Sequence, residues 1–130
     1  MSIIRQIVVS FLLLLPMAGF SPLAAAEDKF AIAADGEQPS AMIAKLAGVA
    51  PFFHLYDANG QLLEVLPNPH LDMEYGIGPA AAETLADMGV TVLVARKIPG
   101  PKMEAMLTAR EVRIVRRLGT VQEVVNELKE

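Results

Sequence analysis

The stretch PFFHLYDANGQLLEVL, residues 51–66, decides the fold. Two runs rich in β-forming residues, 52–57 and 61–66, flank Ala58-Asn59-Gly60, and an Asn-Gly step supplies the positive φ angle that a tight hairpin turn needs. Pro67 ends the second run because proline cannot donate a hydrogen bond to a β-ladder. The pattern therefore predicts an antiparallel hairpin.

Upstream of the hairpin, the sequence predicts one strand and one short helix. Residues 30–34 are apolar and end at the turn signal Asp35-Gly36, which indicates a buried strand. Residues 40–47 carry apolar side chains at helical spacing behind Ser40, a favourable N-cap residue. We therefore expect a strand followed by a helix over residues 40–47.

Downstream of the hairpin, helices alternate with strands. The predicted order is helix 79–88, strand 91–95, helix 101–109, strand 112–117 and a last helix that follows Thr120. Thr120 and Glu123 match a capping box at the start of that last helix. A hairpin followed by βαβ units predicts an α/β layered domain with a mixed sheet.

The composition is that of one globular domain without cysteine chemistry. Of 130 residues, 53% are hydrophobic and 20% are charged. Lys and Arg number 11 against 15 Asp and Glu, and the net charge of -4 argues against general binding of nucleic acid or of anionic membranes. The absence of Cys excludes disulfides, thiolate zinc sites, Cys-ligated iron–sulfur clusters and Cys nucleophiles.

The first 26 residues have the pattern of an export signal. Arg5 precedes the apolar run 7–15, and Ala24-Ala25-Ala26 comes directly before Glu27-Asp28. This pattern predicts a secretory signal peptide cleaved after Ala26, which leaves residues 27–130 as one periplasmic or secreted domain. The apolar run is about half of the ~20 residues that a bilayer span needs, so we expect no stable membrane association after cleavage.

Short motifs spread along the chain carry a family resemblance. In order they are FAIAADG (30–36), APFF (50–53), YD (56–57), NP (68–69), GIGP (76–79), VLVA (92–95) and GTVQE (119–123). The series resembles the dinitrogenase iron-molybdenum cofactor biosynthesis domain. The resemblance implies a ribonuclease-H-like three-layer α/β fold, with a five-stranded mixed sheet and flanking helices. It also implies a module that carries or inserts the iron-molybdenum cofactor or its precursor.

The chain departs from that family at the best candidate for a cofactor contact. The family usually has a His-Phe-Gly step just before its Ala-Pro-aromatic motif, whereas here Leu46-Ala47-Gly48 stands at that place. Export is a second departure, because most members are cytoplasmic. Without that histidine and without Cys, we do not expect delivery of the iron-molybdenum cofactor, and another metal cluster or an oxyanion stays open as the ligand.

The strand order that the resemblance implies brings four strand ends to one edge of the sheet. In open α/β sheets, ligands usually bind at such an edge. We therefore expect a site for a small anionic ligand or an acidic protein partner, built from Asp35, Gly76, Gly78, Arg96, Lys97 and Lys102.

Local charge and helix starts favour an anion at this edge. Residues 91–117 hold seven basic and two acidic side chains, whereas residues 27–90 hold two basic and ten acidic ones. Free N–H groups at a helix start also attract anions. The structural alternatives are that the arginines of 110–117 protect an edge strand from pairing, and that Gly76-x-Gly78-Pro79 is a tight turn into a helix.

His70 and Met73 are candidate metal ligands in the loop after the hairpin. An imidazole and a thioether suit copper, and Asp72 and Glu74 lie beside them. The alternative is a solvated loop, because a tight site needs three or four ligands in fixed geometry. His54 lies inside a strand, and we expect it to be a partly buried sheet residue.

Enzyme activity is not expected of this chain. It contains no Gly-x-Ser-x-Gly, phosphate-loop or His-Glu-x-x-His motif, and residues 91–95 lack the carboxylate that a ribonuclease-H-like nuclease needs. The sequence therefore predicts a non-enzymatic, exported binding module. The alternatives are an interaction or scaffold domain that kept the fold and lost the cofactor site, and a periplasmic copper-handling protein.

Overall fold

The computed structural model describes residues 23–98 and 100–130. The strands are Lys29–Ala34 (β1), Phe52–Asp57 (β2), Leu62–Pro67 (β3), Val92–Ala95 (β4) and Arg113–Arg116 (β5). The α-helices are Ile77–Asp87 (α1), Gly100–Ala109 (α2) and Val121–Leu128 (α3), and a short 3-10 helix covers Ala47–Val49.

The five strands form one mixed sheet in the order β3-β2-β1-β4-β5. β1 pairs antiparallel with β2, which pairs antiparallel with β3, whereas β1 and β4 are parallel, as are β4 and β5. β1 therefore joins the hairpin half of the sheet to the βαβ half. The predicted hairpin and the mixed sheet are both confirmed.

Helices cover both faces of this sheet. On one face, Ala31 and Ala33 of β1 belong to a buried cluster with Ala81 and Leu85 of α1 and with residues of α2. On the other face, residues 30 and 32 of β1 cluster with the valines of α3. This three-layer arrangement confirms the predicted α/β fold class.

The hairpin turn is held by the side chain at the end of β2. Asp57 Oδ1 accepts hydrogen bonds from the backbone N–H groups of Asn59 and Gln61, each at 2.9 Å. Gly60 has a φ of 82° and so takes the left-handed conformation at this turn. The Asn-Gly step thus sits at the turn, as predicted.

The predicted helix over residues 40–47 is wrong. Instead, Met42 and Ile43 form isolated β-bridges to Thr120 and Ala34, and Ile43 N–H donates to the Gly119 carbonyl at 2.9 Å. Met42 is 48% exposed rather than packed in the core. The backbone of this segment bonds to residues far away in the sequence instead of forming the helical hydrogen bonds that the spacing of its apolar residues predicted.

The last helix begins as predicted. The Thr120 side chain accepts a hydrogen bond from Glu123 N–H, and the Glu123 carboxylate accepts one from Thr120 N–H, each at 3.3 Å. Gly119 precedes this capping box with a φ of 99°, and a Cβ there would lie 2.9 Å from the Glu123 carboxylate. Glycine is therefore required at the start of α3.

The segment before β1 is tied to the sheet by one carboxylate. Asp28 accepts hydrogen bonds from Ala25 N–H at 2.8 Å, from the Thr91 hydroxyl at 2.8 Å and from the Arg113 guanidinium at 3.0 Å. The predicted signal peptide lies mostly outside the described residues, which begin at position 23. Within the described residues, no helix is long and apolar enough to cross a membrane.

These bonds predict an acid-dependent contribution to stability. Burial alone would raise the pKa of Asp28, but the bonds from Ala25, Thr91 and Arg113 outweigh it and lower the pKa below 3.8. Because the pKa is lowered in the folded state, the ionised carboxylate stabilises the protein above about pH 4. This stabilisation is lost as the pH falls through the folded-state pKa. Asp28→Asn should lower the free energy of unfolding by about 1 kcal/mol at pH 7.

Urea unfolding between pH 2 and pH 7, from about two units below to about three units above an ordinary carboxyl pKa, measures this difference. The difference in free energy of unfolding between the wild type and Asp28→Asn should shrink steadily towards pH 2. Asp72→Asn in an exposed loop is the matched control and should leave stability unchanged. A deficit in Asp28→Asn that stays constant with pH would contradict the assignment.

Candidate functional site

Four strands end at one edge of the sheet. Since β2 is antiparallel to both β1 and β3, strands β1, β3, β4 and β5 all point the same way. Asp35, Asn68, Arg96 and Arg117 follow the ends of these strands. The edge thus gathers the segments on which the predicted site residues lie.

A groove of about 370 Å³ opens at this edge where two helices begin. We call it the helix-start groove; its walls are Val49, residues 76–79 at the start of α1 and residues 100–103 at the start of α2. Gly76, Gly78 and Lys102, three of the predicted site residues, come together in it. Val49, Gly100 and Met103 complete the lining and were not predicted.

Close packing of α1 against α2 shapes this groove. A Cβ added at Gly78 would lie 3.2 Å from the Met103 Cβ, so the absent side chain lets the two helices approach. Gly76 precedes α1 with a φ of 73°, and Gly100 begins α2 with a φ of 74°. Both helix starts therefore depend on the left-handed conformation that glycine adopts without strain.

The groove has features that attract negative charge. The first-turn N–H groups of Ile77, Gly78 and Lys102 have no acceptor within their own helices, and two helix dipoles present their positive ends here. Lys102 is exposed at the rim, and none of the described residues that line the groove is acidic. N–H groups, an ammonium and apolar walls together suit an oxyanion on a compact ligand.

A smaller hollow of about 160 Å³ adjoins this groove and shares Val49 with it. Asp35, Lys45 and Leu46 also line it. Leu46 is the residue that stands where the family has its histidine, so the hollow presents an isobutyl side chain instead of an imidazole. Asp35, a predicted site residue, lies in this hollow rather than in the helix-start groove.

The remaining predicted cations lie towards β5. Arg96 lines a hollow of about 200 Å³ together with Arg116, Arg117 and Leu118. The Lys97 side chain is exposed, and its backbone carbonyl accepts a hydrogen bond from Ala47 N–H at 3.0 Å. Arg96 and Lys97 therefore add positive charge to the same edge without lining the helix-start groove.

The two candidate copper ligands are engaged differently. The Nε2 atom of His70 hydrogen-bonds with the Thr84 hydroxyl of α1 at 2.8 Å, while Met73 is 41% exposed. Across residues 23–98 and 100–130, no group of three or more His, Cys, Asp or Glu side chains is placed to hold a metal ion. The loop thus offers His70 as a structural contact to α1.

Two buried polar side chains brace the edge. His54 is 1% exposed, more buried than expected, and its Nε2–H donates to the Gly36 carbonyl at 2.7 Å. Asn68 was missed by the sequence analysis, although it directly follows the Pro67 that ends β3. It is 6% exposed, and its amide donates to the carbonyls of Gly48 at 3.1 Å and Ala50 at 3.0 Å.

Comparison with known sequences identifies the family. The profile of the family described as dinitrogenase iron-molybdenum cofactor matches residues 28–130. This chain belongs to that family. Among curated proteins, none matches the sequence.

Two solved structures show the same family fold. The apo form of the orange protein from Desulfovibrio gigas is 27% identical with a TM-score of 0.71, over 79% of this chain and 88% of that one. A NifB-like protein from Thermotoga is 31% identical with a TM-score of 0.64, over 76% and 84%. The family resemblance read from the sequence is thereby confirmed.

The donor set of this family member does not fit direct ligation of an iron-molybdenum cluster. The chain has no Cys, and the smaller hollow that Leu46 lines offers no imidazole or sulfur ligand among the described residues. The described residues also bring no set of three ligating side chains together. What the edge offers instead is hydrogen-bond donors and positive charge, which contact the oxygen atoms of a ligand rather than its metal.

The buried hydrogen bonds that Asn68 donates should contribute to the stability of the domain. Asn68→Ala would leave the buried carbonyls of Gly48 and Ala50 without their donor and should lower the free energy of unfolding by about 1–3 kcal/mol. Asn59→Ala in the exposed hairpin turn is the matched control and should change it by less than about 0.5 kcal/mol. Equal effects of the two variants in urea unfolding would contradict the bracing role.

Proposed function

We propose that this chain is a non-enzymatic binding module that holds a small oxyanion-bearing ligand in the helix-start groove. The observation that carries the proposal is the convergence of two helix starts, each introduced by a glycine with positive φ, on one groove with Lys102 at its rim. Gly76, Gly78 and Lys102 make the contacts. Asp35, Arg96 and Lys97 flank the groove along the edge.

Family membership supports a binding role rather than a catalytic one. The matched family is described by a cofactor, and the orange protein from Desulfovibrio gigas was solved in an apo form. Among residues 23–98 and 100–130, no His, Asp, Glu or Ser that could act as a base or nucleophile lines the groove. Its chemistry is that of holding an anion.

The ligand is held through its oxygen atoms. Backbone N–H groups and Lys102 donate hydrogen bonds to oxygen, and the apolar walls of Ile77, Pro79 and Met103 exclude water around them. A metal oxyanion, or a metal-containing cofactor with a carboxylate or phosphate arm, has this chemistry. The module would release such a ligand readily, because no side chain bonds the metal.

We also propose that the module works outside the cytoplasm after cleavage following Ala26. The charged start, the apolar run and the Ala24-Ala25-Ala26 end support this placement. Residues 25 and 28 are hydrogen-bonded to each other near the start of β1, at the sheet edge opposite the groove. Cleavage after Ala26 would remove Ala25 and its hydrogen bonds to Asp28, but it would leave the groove intact.

Cleavage is checked by expressing the full chain in a bacterium and weighing the periplasmic protein by intact-mass spectrometry. The expected mass is that of residues 27–130. Recovery of the uncleaved chain in the membrane fraction would contradict export as a soluble protein.

Oxyanion binding is tested with a pair of variants of nearly equal size at Gly76. Asn and Asp both tolerate the left-handed conformation, and a Cβ at this position meets no atom within 4 Å. Gly76→Asp places a carboxylate at the helix start, so it should abolish molybdate binding measured by calorimetry. Gly76→Asn should keep binding within about threefold of wild type, equivalent to roughly 0.7 kcal/mol.

Lys102→Gln gives an independent check of the same groove. It removes one charge-assisted contact and should weaken molybdate binding about tenfold, equivalent to about 1.4 kcal/mol. Arg110→Gln, at the far end of α2, removes the same charge and should leave binding unchanged. Wild-type protein that binds no molybdate, or equal loss in Gly76→Asp and Gly76→Asn, would contradict the proposal.

The competing functions give other outcomes. Copper binding that is lost in His70→Ala, with no oxyanion binding, would make the chain a copper-handling protein. Absence of both would leave a scaffold domain that kept the family fold.

A further inference from the structure

A cluster of arginines at the end of β4 and β5 is not explained by the helix-start groove. Arg96, Arg116 and Arg117 line one hollow of about 200 Å³ with Leu118, and we call this surface the arginine hollow. Arg96 follows Ala95, which pairs with Arg116 in the parallel register of β4 and β5. Adjacent strand ends thus bring three arginine residues to one hollow.

The charges in the hollow are only partly balanced. Arg117 pairs with Glu127 of α3 at 3.1 Å and also donates to the Arg116 carbonyl at 3.0 Å. Elsewhere, Arg110 pairs with Asp87, and Arg113 pairs with Asp28. Within residues 23–98 and 100–130, Arg96 and Arg116 have no acidic partner.

Protection of an edge strand does not account for this arrangement. Arginine on β5 would prevent another strand from pairing with that edge. Arg96, however, follows β4, which lies inside the sheet between β1 and β5. A cation at the end of an interior strand does not protect an edge, so its convergence with Arg116 requires another reason.

An apolar side chain beside the hollow indicates a macromolecular partner. Leu118 is 73% exposed, although the loop that carries it is fixed by neighbouring bonds. Gly119 carbonyl accepts from Ile43 N–H, and Thr120 begins the capping box of α3. A rigidly presented leucine next to guanidinium groups matches a partner that carries both an apolar residue and carboxylates.

We propose that the arginine hollow docks an acidic segment of a partner protein, with carboxylates on Arg96 and Arg116 and an apolar side chain against Leu118. A guanidinium group can donate two parallel hydrogen bonds to one carboxylate, and this geometry orients the contact. The acidic remainder of the chain, with ten acidic and two basic residues over 27–90, repels the same segment elsewhere. This goes beyond ligand binding, because it assigns a partner surface at the edge that holds the groove.

The test uses fluorescence anisotropy of the full-length protein, expressed with its own N-terminal segment, and a labelled peptide of alternating Glu and Leu. A matched peptide with Gln in place of Glu is the ligand control. The Glu peptide should bind, the Gln peptide should not, and the affinity should fall as salt screens the charges. Arg96→Glu combined with Arg116→Glu should weaken binding at least tenfold.

Matched variants distinguish binding at the arginine hollow from nonspecific electrostatic and hydrophobic binding. Arg110→Glu reverses a charge at the far end of α2 and should leave peptide affinity within about twofold, as expected of a remote charge. Leu118→Ser should weaken binding severalfold, whereas Leu63→Ser on β3, which removes another half-exposed leucine, should not.

Three outcomes would overturn the docking surface: no binding of the Glu peptide, equal binding of the two peptides, or full affinity in the Arg96→Glu, Arg116→Glu variant. Displacement of the peptide by inorganic phosphate at equal concentration would also overturn it, by making the hollow a small-anion site. These readouts are separate from molybdate binding and the Gly76 variants, so either proposal can fail while the other stands.

Discussion

The whole domain depends on the packing of β1. Residues 30–34 have no exposed surface, and this strand pairs antiparallel with β2 on one side and parallel with β4 on the other. On the face under α1 its side chains are Ala31 and Ala33, so the helix layer can lie close to the sheet. On the opposite face it presents Phe30 and Ile32 to α3. A bulkier residue at either alanine would have to displace the helix layer.

That packing also positions the edge that carries the candidate site. Since β1 is parallel to β4, the chain must cross over between parallel strands, and the helices that precede and follow β4 begin at the edge where the strands end. The close contact of Gly78 with Met103 then holds the two helix starts side by side. Two positive dipole ends therefore share one edge with Arg96, Arg116 and Arg117, which end or follow β4 and β5, whereas residues 27–90 hold ten of the acidic residues.

Local signals made most of the fold predictable. The Asn-Gly turn and the capping box at Thr120 describe structure formed by neighbouring residues, and the continuous apolar run of β4 indicates a strand that is covered on both faces. The helix prediction for residues 40–47 was wrong because this segment is held by non-local contacts. Its backbone bonds go to Ala33, Gly119 and other residues far away in sequence, and such partners cannot be predicted from the spacing of apolar residues.

Three residues that line the candidate groove were named from the sequence, but the arrangement of the groove was not. Gly76, Gly78 and Lys102 were each recognisable from helix-start chemistry, and the structure brings them into one groove. The sequence did not show that Val49 and Met103 complete that groove, since these contacts cross between elements. The proximity of Arg96 to Arg116 likewise requires the register of two strands, in which Ala95 pairs with Arg116. Asn68 resembled an ordinary loop residue until its two carbonyl partners were known.

We propose that oxyanions bind at the two helix starts through N–H groups, without side-chain ligation of a metal. A molybdate titration of the ¹⁵N-labelled protein, followed by amide chemical shifts, tests this binding mode. The largest shifts are expected at Gly76, Ile77 and Gly78 and at Gly100, Lys102 and Met103. Shifts confined to the loop of His70 and Met73, or no shifts at saturating molybdate, would contradict it.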